Sequence, residues 1–212
     1  LINALGQSLG KNTKIFGRGI RRPGNLFDYF KKESPQGKLK ASKIFTTILE
    51  SFGSIWPDRC KFKGFNLGDT SRHPAASVDY NIEGFVPFHK LSQWLTYSLI
   101  EPVIEFGIDV IEIDELTALA EYRNGGLLVD FGVLIPKCNK ILENTYKPYD
   151  EIIVEWRALT ITLMDILAKN LREDLNLSQE TLPMINVLEG GTWAAGRAIA
   201  FSKRTDGTPP IK

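Results

Sequence analysis

The stretch Ala120-Glu121-Tyr122-Arg123-Asn124-Gly125-Gly126-Leu127-Leu128-Val129-Asp130 brings an acid, a phenol, a guanidinium group, a carboxamide and two glycines close together. Apolar runs lie before it, at 116–119, and after it, at 131–135. Because buried charge is costly unless it is paired, the sequence marks this stretch as a candidate site. The alternative is a helix with one internal ion pair and a glycine kink, since structural ion pairs resemble functional ones.

The composition is that of an ordinary globular protein. Of 212 residues, 43% are hydrophobic and 24% are charged, which is enough for one core. The net charge of +1 gives no reason to expect nucleic acid or a membrane as a partner. Residues 11–43 nevertheless hold ten basic side chains against two acids, and residues 101–155 hold twelve acids against four bases. The basic segment is expected to meet a phosphate or a partner, or to be a solvated surface.

Cysteine and histidine usage predicts no metal site. Cys60 and Cys138 lack the paired spacing of metal ligands, and the chain has only two histidines. Two isolated cysteines are typical of a reducing compartment, which predicts a cytoplasmic location. No uninterrupted apolar run reaches the roughly 18 residues of a membrane span. The chain starts at Leu1 without a signal pattern, and we expect it to be part of a longer protein.

Three amphipathic patterns predict the long helices. The first has apolar residues at steps of three and four, and Pro57 is expected to end it. The second opens at Pro87, a favourable first-turn residue, and Pro102 ends or kinks it. The third covers 150–171. Their predicted inner faces are Ile44, Phe45, Ile48, Leu49, Phe52, Ile55 and Trp56; Phe88, Leu91, Trp94, Leu95, Ser98 and Leu99; and Ile153, Trp156, Thr160, Leu163, Met164 and Leu167.

The other predicted elements are short. Alternation of apolar and acidic residues at 108–113 indicates one strand. A helix carrying the 120–130 stretch is expected to begin at Asp114 or Glu115, and a last helix covers 193–203.

The fold class is therefore mainly α, a helical bundle-like domain with at most one or two short strands. Residues 1–39 are predicted to be a basic, loop-rich N-terminal segment, and 40–212 a helical catalytic-type domain.

The candidate acids are Glu121 and Glu155. At about 100° per residue, Glu121 and Asp130 are about 900° apart, on opposite faces of one helix, so a second carboxylate must come from elsewhere. Glu155 precedes Trp156 in an otherwise apolar helix. Glu155 is predicted to complete the site, or to pair structurally with an arginine.

His89 and Lys90 fall in the first turn of the second predicted helix, where free amides and the helix dipole suit an anion. Gln93 lies one turn further, and Trp94 could stack on a base-like ring. The alternative is that His89 only forms a first-turn hydrogen bond and that Trp94 is in the core.

Two further patterns are weaker. In Glu189-Gly190-Gly191-Thr192-Trp193-Ala194-Ala195-Gly196-Arg197, glycines precede a helix as in a phosphate cradle, but no Gly-Lys-Ser/Thr ending follows. The alternative is a helix cap with small residues for close packing. Asp69 and His73 are either an acid–base pair or turn caps.

Four segments of the sequence resemble a known family: 88–98, 116–126, 154–160 and 188–197. It is the uracil-catabolism protein family of otherwise undefined domain, found in fungi and bacteria and tied to the non-reductive pyrimidine route. The resemblance runs from Arg22 to Ile211, and members of that family are substantially longer than this chain.

A fainter resemblance is to the queuosine-salvage nucleotide N-glycosidases. It rests on Phe88-His89-Lys90 with Gln93, on Ala120 to Arg123 followed by Phe131-Gly132, and on Glu155-Trp156-Arg157. That family is an all-helical relative of DNA glycosylases that cleaves a ribosyl C–N bond. This chain has Glu121 where that family has Asp, and its Gly-Gly-Thr-Trp segment has no counterpart there.

Together these resemblances imply a hydrolase, an N-glycosidase acting on an opened pyrimidine nucleotide such as ribosylurea phosphate, without metal or other cofactor. The partner is then a small-molecule substrate, and the oligomeric state is left open. The alternative is a non-catalytic nucleotide-binding or scaffold protein of the same pathway. The predicted catalytic residues are Glu121 and Glu155, and the predicted substrate-binding residues are His89, Lys90, Gln93, Trp94, Tyr122, Arg123, Asn124, Arg157 and Trp193.

Overall fold

A computed structural model describes residues 1–56 and 60–212. It is 57% helical and 9% strand, which confirms the mainly α prediction. The helices are α1 Ile2–Lys11, α2 Thr13–Phe16, α3 Asn25–Lys32, α4 Ala41–Phe52, α5 Lys90–Glu105, α6 Tyr122–Asp130, α7 Lys140–Glu143, α8 Glu151–Leu175, α9 Met184–Asn186 and α10 Ala194–Lys203.

The strands are short and more numerous than the sequence predicted. They are β1 Lys38–Lys40, β2 Lys61–Phe62, β3 Phe65–Asn66, β4 Thr70–Arg72, β5 Phe85–Pro87 and β6 Asp109–Ile111. They pair as three two-stranded sheets, β1 with β6, β2 with β3 and β4 with β5. The strand predicted at 108–113 is β6, which runs parallel to β1 with Leu39 opposite Val110.

The chain divides into two compact units, residues 1–70 with 89–116 and residues 71–88 with 117–212. The division predicted at residues 39 and 40 stays a prediction. Residues 1–39 carry α1, α2 and α3, so this segment has more regular structure than its glycines and prolines indicated.

In the first unit, α4 confirms the helical period of its sequence. Ile44, Ile48 and Phe52 are buried, and the rings of Phe16 and Phe52 lie 5.7 Å apart. The helix ends at Phe52 and a 3₁₀ turn covers Gly53–Ile55. The predicted stop at Pro57 lies outside the described residues.

Helix α5 differs from its prediction in start, face and end. Pro87, the predicted first residue, is instead the last residue of β5, and α5 begins at Lys90. The helix continues through Pro102 to Glu105. Its buried side chains include Ser92, Gln93, Thr96 and Tyr97, whereas Leu91 is exposed.

These polar groups can be buried because the fold supplies their partners. The Thr96 hydroxyl donates to the carbonyl of Ser92 (2.9 Å), and the Tyr97 hydroxyl donates to the carbonyl of Leu116 (3.2 Å). The indole N–H of Trp56 donates to the Ser92 hydroxyl (3.3 Å).

The second unit is built around α6, which packs against α8 and α10. The prediction that this helix begins at Asp114 or Glu115 is wrong. Those two residues belong to a separate 3₁₀ turn, Ile113–Glu115, and α6 begins only at Tyr122. In α8, the predicted inner residues Trp156, Thr160 and Met164 are buried.

Candidate active site

Glu121 is the N-cap of α6. Its backbone is extended (φ −96°, ψ 129°), and its carboxylate Oε1 accepts a hydrogen bond from the backbone N–H of Arg123 at 3.4 Å. The residue is half-buried. The amide groups and the dipole at a helix N-terminus favour negative charge. The structure therefore holds one carboxylate at the positive end of the helix around which the unit packs.

Arg123 and Tyr122, the first residues of α6, differ in exposure. Arg123 is half-buried, and its Nη1 donates to the carbonyl of Gly207 at 2.5 Å. The Arg123 guanidinium carbon lies 5.2 Å from the ring centroid of Tyr122, which is 47% exposed. Arg123 thus ties α6 to the C-terminal segment, while Tyr122 presents its ring to solvent.

Asn124 is buried, with 2% exposure. Its carboxamide oxygen accepts a hydrogen bond from the Thr192 hydroxyl at 2.9 Å. This contact joins α6 to the segment that precedes α10. The predicted role of Asn124 in substrate binding stays a prediction, because the observed partner of its oxygen belongs to the protein.

The glycines of α6 and α10 are points of close approach. A Cβ added to Gly125 would lie 2.6 Å from the Thr160 hydroxyl and 2.7 Å from the Trp156 ring. A Cβ added to Gly196 would lie 2.5 Å from the carbonyl oxygen of Arg123. Gly125 and Gly126 do not interrupt the helix, since both lie inside α6. Gly125 and Gly196 let α8 and α10 approach the backbone of α6 directly.

Glu155 and Arg157 lie on α8 in different surroundings. Glu155 is exposed, so burial gives no support to its predicted role as the second acid, which stays a prediction. Arg157 is half-buried, and its guanidinium carbon lies 3.9 Å from the ring centroid of Phe88. A cation on an aromatic face is attracted by the ring quadrupole, which fixes the position of Arg157.

The candidate residues of the first unit surround the start of α5. His89 is the N-cap and has left-handed backbone geometry (φ 46°, ψ 36°), which is uncommon for a residue other than glycine. The backbone N–H of His89 donates to the carbonyl of Asp69 at 3.1 Å. The backbone N–H of Lys90 donates to the Asp69 carboxylate at 3.1 Å.

These contacts change the interpretation of the helix start. The Lys90 amide, which was predicted to bind an anion, is already occupied by a carboxylate of the protein. Gln93 is buried and Trp94 is half-buried. Because the Lys90 amide is already hydrogen-bonded to Asp69, it gives no support to anion binding here. The roles of Lys90, Gln93 and Trp94 in ligand binding stay predictions.

Asp69 and His73 each act as a cap, which was the alternative to an acid–base pair. Asp69 accepts from the first amide of α5. Nδ1 of His73 accepts from the backbone N–H of Ala75 at 3.1 Å, at the start of the 3₁₀ turn Pro74–Ala76.

Burial lowers the pKa of His89 from its ordinary value of 6.5, and the charge of Asp69 opposes this shift to a smaller extent. We therefore expect His89 to be uncharged at neutral pH. As pH falls below 6.5 the unfolded chain takes up a proton more readily than the folded one, so the free energy of unfolding should fall as well. A proton NMR titration should give a His89 midpoint below 6.5, with His89→Gln identifying the resonance. A midpoint above 6.5 would contradict this prediction.

The Gly-Gly-Thr-Trp segment is not a phosphate cradle. Val187–Trp193 form a π-helix that continues directly into α10, so the glycines are not a loop ahead of a helix start. Trp193 is half-buried and its ring lies 5.6 Å from the Arg197 guanidinium carbon. The close packing of Gly196 favours the alternative, a segment whose small residues allow contact.

Two contacts in this unit were not predicted. Asp130, at the end of α6, binds Arg204 through two hydrogen bonds of 2.8 and 2.5 Å. Asp165 accepts from the backbone N–H of Ala118 at 2.9 Å, and burial is the main reason that the pKa of Asp165 is raised. The partners are 74 and 47 residues apart, so no local sequence signal joins them.

Metal-binding clusters and membrane-spanning helices are both absent from the described residues. Across 1–56 and 60–212, no group of three or more His, Cys, Asp or Glu side chains could hold a metal ion. Within the same ranges, none of the helices combines the length and the apolar character that crossing a membrane requires.

The structure thus defines a mainly α chain in which a half-buried carboxylate caps a central helix. The chain belongs to the family described as "Protein of unknown function (DUF1688)", which matches residues 1–212. Uracil catabolism protein 4 of Lachancea kluyveri is 37% identical over 239 residues, covering 100% of this chain and 54% of the relative. Protein urg3 of Schizosaccharomyces pombe is 38% identical over 211 residues, covering 96% and 49%.

The chain therefore spans about half the length of these two relatives. No solved structure matches the chain significantly.

Proposed function

We propose that this chain acts in uracil catabolism as the N-glycosidase part of its protein, hydrolysing the ribosyl C–N bond of an opened pyrimidine nucleotide such as ribosylurea phosphate. The pathway is suggested by the name of the relative from Lachancea kluyveri. The reaction is suggested by the resemblance of Ala120 to Arg123 and of Glu155 to Arg157 to N-glycosidase motifs. The structural observation that carries the proposal is the carboxylate of Glu121 at the N-terminus of α6.

The chemistry requires such a carboxylate. As the C–N bond breaks, the electron pair leaves with the nitrogen and positive charge develops on the sugar. Glu121 stabilises this charge electrostatically or attacks the anomeric carbon. Water then supplies hydroxide to that carbon and a proton to the leaving nitrogen, which gives ribose phosphate and urea. A general acid or base speeds these proton transfers by about 10²- to 10⁴-fold.

Glu155, Arg157 and Tyr122 complete the proposed site. Glu155 is proposed as the second acid from the resemblance alone, because its exposed position does not supply a water-poor environment. Arg157, held over Phe88, would bind phosphate or orient an acid. Tyr122, with its exposed ring, would form a wall for the sugar.

Product analysis tests this proposal directly. The purified chain is incubated with ribosylurea phosphate and with unphosphorylated ribosylurea, and free urea is measured over time. We expect urea release from the phosphorylated compound, with ribose phosphate in equal amount. Ligand-induced thermal stabilisation without urea release would instead favour the alternative, a non-catalytic nucleotide-binding protein. Product that appears only with an added acceptor would indicate a transferase.

A further inference from the structure

A cavity of about 450 Å³ opens in the first unit beside α2 and α3. Its charged lining consists of Lys14, Lys31, Lys32 and Asp28, and its apolar lining includes Phe16 and Tyr29. This volume lies in the range of small-molecule sites, about 300 to 1,000 Å³. None of these residues is proposed to act in catalysis.

The charge of this cavity is unbalanced. Three lysines line it together with one acid, Asp28. Glu33, the acid that directly follows Lys32 in the sequence, pairs with Lys43 at 2.9 Å. The hydrogen bond from Lys43 is the main cause of the lowered pKa of Glu33, and the charge of Lys14 adds a smaller effect.

Lys14 and Lys32 themselves form no ion pair of 4.0 Å or less with any residue the structure describes. Lys31 is partly engaged, since its ammonium lies 5.8 Å from the ring centroid of Phe106. Three lysines against one lining acid leave an excess of positive charge, which an anion that enters the cavity would offset.

The floor of the cavity has a different character from its rim. Phe16 is 1% exposed and Tyr29 is 7% exposed, so their rings are fixed by the packing of α2 and α3. These rings give the cavity a rigid base with little free aromatic surface, so the exposed lysines of the lining decide which ligand fits, and they suit a small molecule with an anionic group.

We propose that this cavity is a binding site for a small phosphate-bearing molecule of about mononucleotide size, with its phosphate held by Lys14 and Lys32 and its body filling the remaining volume. The charge balance selects an anion, and the limited volume selects a small molecule over a macromolecular chain. This site is independent of the reaction proposed for Glu121.

Binding measurements with defined probes test the proposal. Inorganic phosphate, ribose 5-phosphate and uridine 5′-monophosphate are titrated into the purified chain by calorimetry and by NMR, at low and at high ionic strength. We expect the nucleotide to bind more tightly than inorganic phosphate, and all affinities to fall with salt because exposed charges are screened. Resonances of residues 14–32 should shift.

The double variant Lys14→Gln, Lys32→Gln should bind the nucleotide at least about tenfold more weakly. Its matched control is Lys38→Gln, Lys63→Gln, which removes two exposed lysines of the same unit that do not line the cavity. The control should bind like the wild type. Because all four lysines are exposed, we expect both double variants to fold, and circular dichroism checks this.

Three results would overturn the proposal. They are the absence of saturable binding by the wild type, equal binding by the Lys14→Gln, Lys32→Gln variant, and equal affinity for inorganic phosphate and the nucleotide. Failure of the proposed reaction is separate from these results, because Glu121→Gln should leave binding at this cavity unchanged.

Discussion

Replacement of Glu121 by glutamine is expected to abolish urea release while the fold is retained. The substitution removes the negative charge at nearly constant volume, and the glutamine oxygen can still accept the hydrogen bond from the Arg123 amide that caps α6. Loss of a charge that stabilises a transition state typically costs on the order of 10²-fold in turnover or more. The effect should appear in kcat, because the charge that Glu121 stabilises develops only as the bond breaks.

Two glutamate variants serve as comparisons for Glu121→Gln. Glu143→Gln removes an exposed acid on α7 of the same unit and should turn over like the wild type. Glu155→Gln tests the second acid, and a loss comparable to that of Glu121→Gln would support its proposed role. Wild-type turnover by Glu121→Gln, with an unchanged melting temperature, would refute the assignment of Glu121.

Gly196→Ala should be the most destabilising conservative substitution in α10. The new methyl carbon would lie 2.5 Å from the carbonyl oxygen of Arg123, and that oxygen belongs to the backbone of α6. The backbone cannot move aside as a flexible side chain would, so the two helices must separate. Overpacking of this kind costs about 1 to 3 kcal/mol, which exceeds the roughly 0.5 to 1 kcal/mol that alanine gains over glycine inside a helix.

Denaturation by guanidinium chloride, followed by circular dichroism, measures this loss. The matched control is Gly190→Ala, since no atom lies within 4 Å of a Cβ added there. We expect the control to stay within about 1 kcal/mol of the wild type. Equal midpoints for the two variants would mean that the close approach at Gly196 does not limit packing.

The sequence predicted helices well where one apolar face was unambiguous. In α4 the spacing of Ile44, Ile48 and Phe52 identified the buried side. In α5 apolar residues occur on more than one side, and the packed face carries Ser92, Gln93 and Thr96. Periodicity could not show this, because the burial of these groups depends on hydrogen-bond partners as distant in sequence as Trp56.

The candidate site was predicted in its residue types but not in its geometry. Glu121 could be predicted as a site candidate because it is an acid beside apolar runs. Its position as a helix cap could not be predicted, because glutamate is not among the preferred N-cap residues. The Asp69 carboxylate at the start of α5 and the Thr192 hydroxyl on Asn124 come from distant segments. Without the fold, neither contact has a local signal.

The π-helix Val187–Trp193 determines which side of this segment faces inward. A π turn contains about one residue more than an α turn. In an ordinary helix the eight steps from Leu188 to Gly196 would turn by about 800°, which would place the two residues roughly 80° apart. The wider π turns absorb the extra residue, so that Leu188 and Gly196, both buried, face inward together. Deletion of one of the exposed glycines, Gly190 or Gly191, would leave seven steps, about 700° in an ordinary helix, and should therefore keep both residues on the buried side.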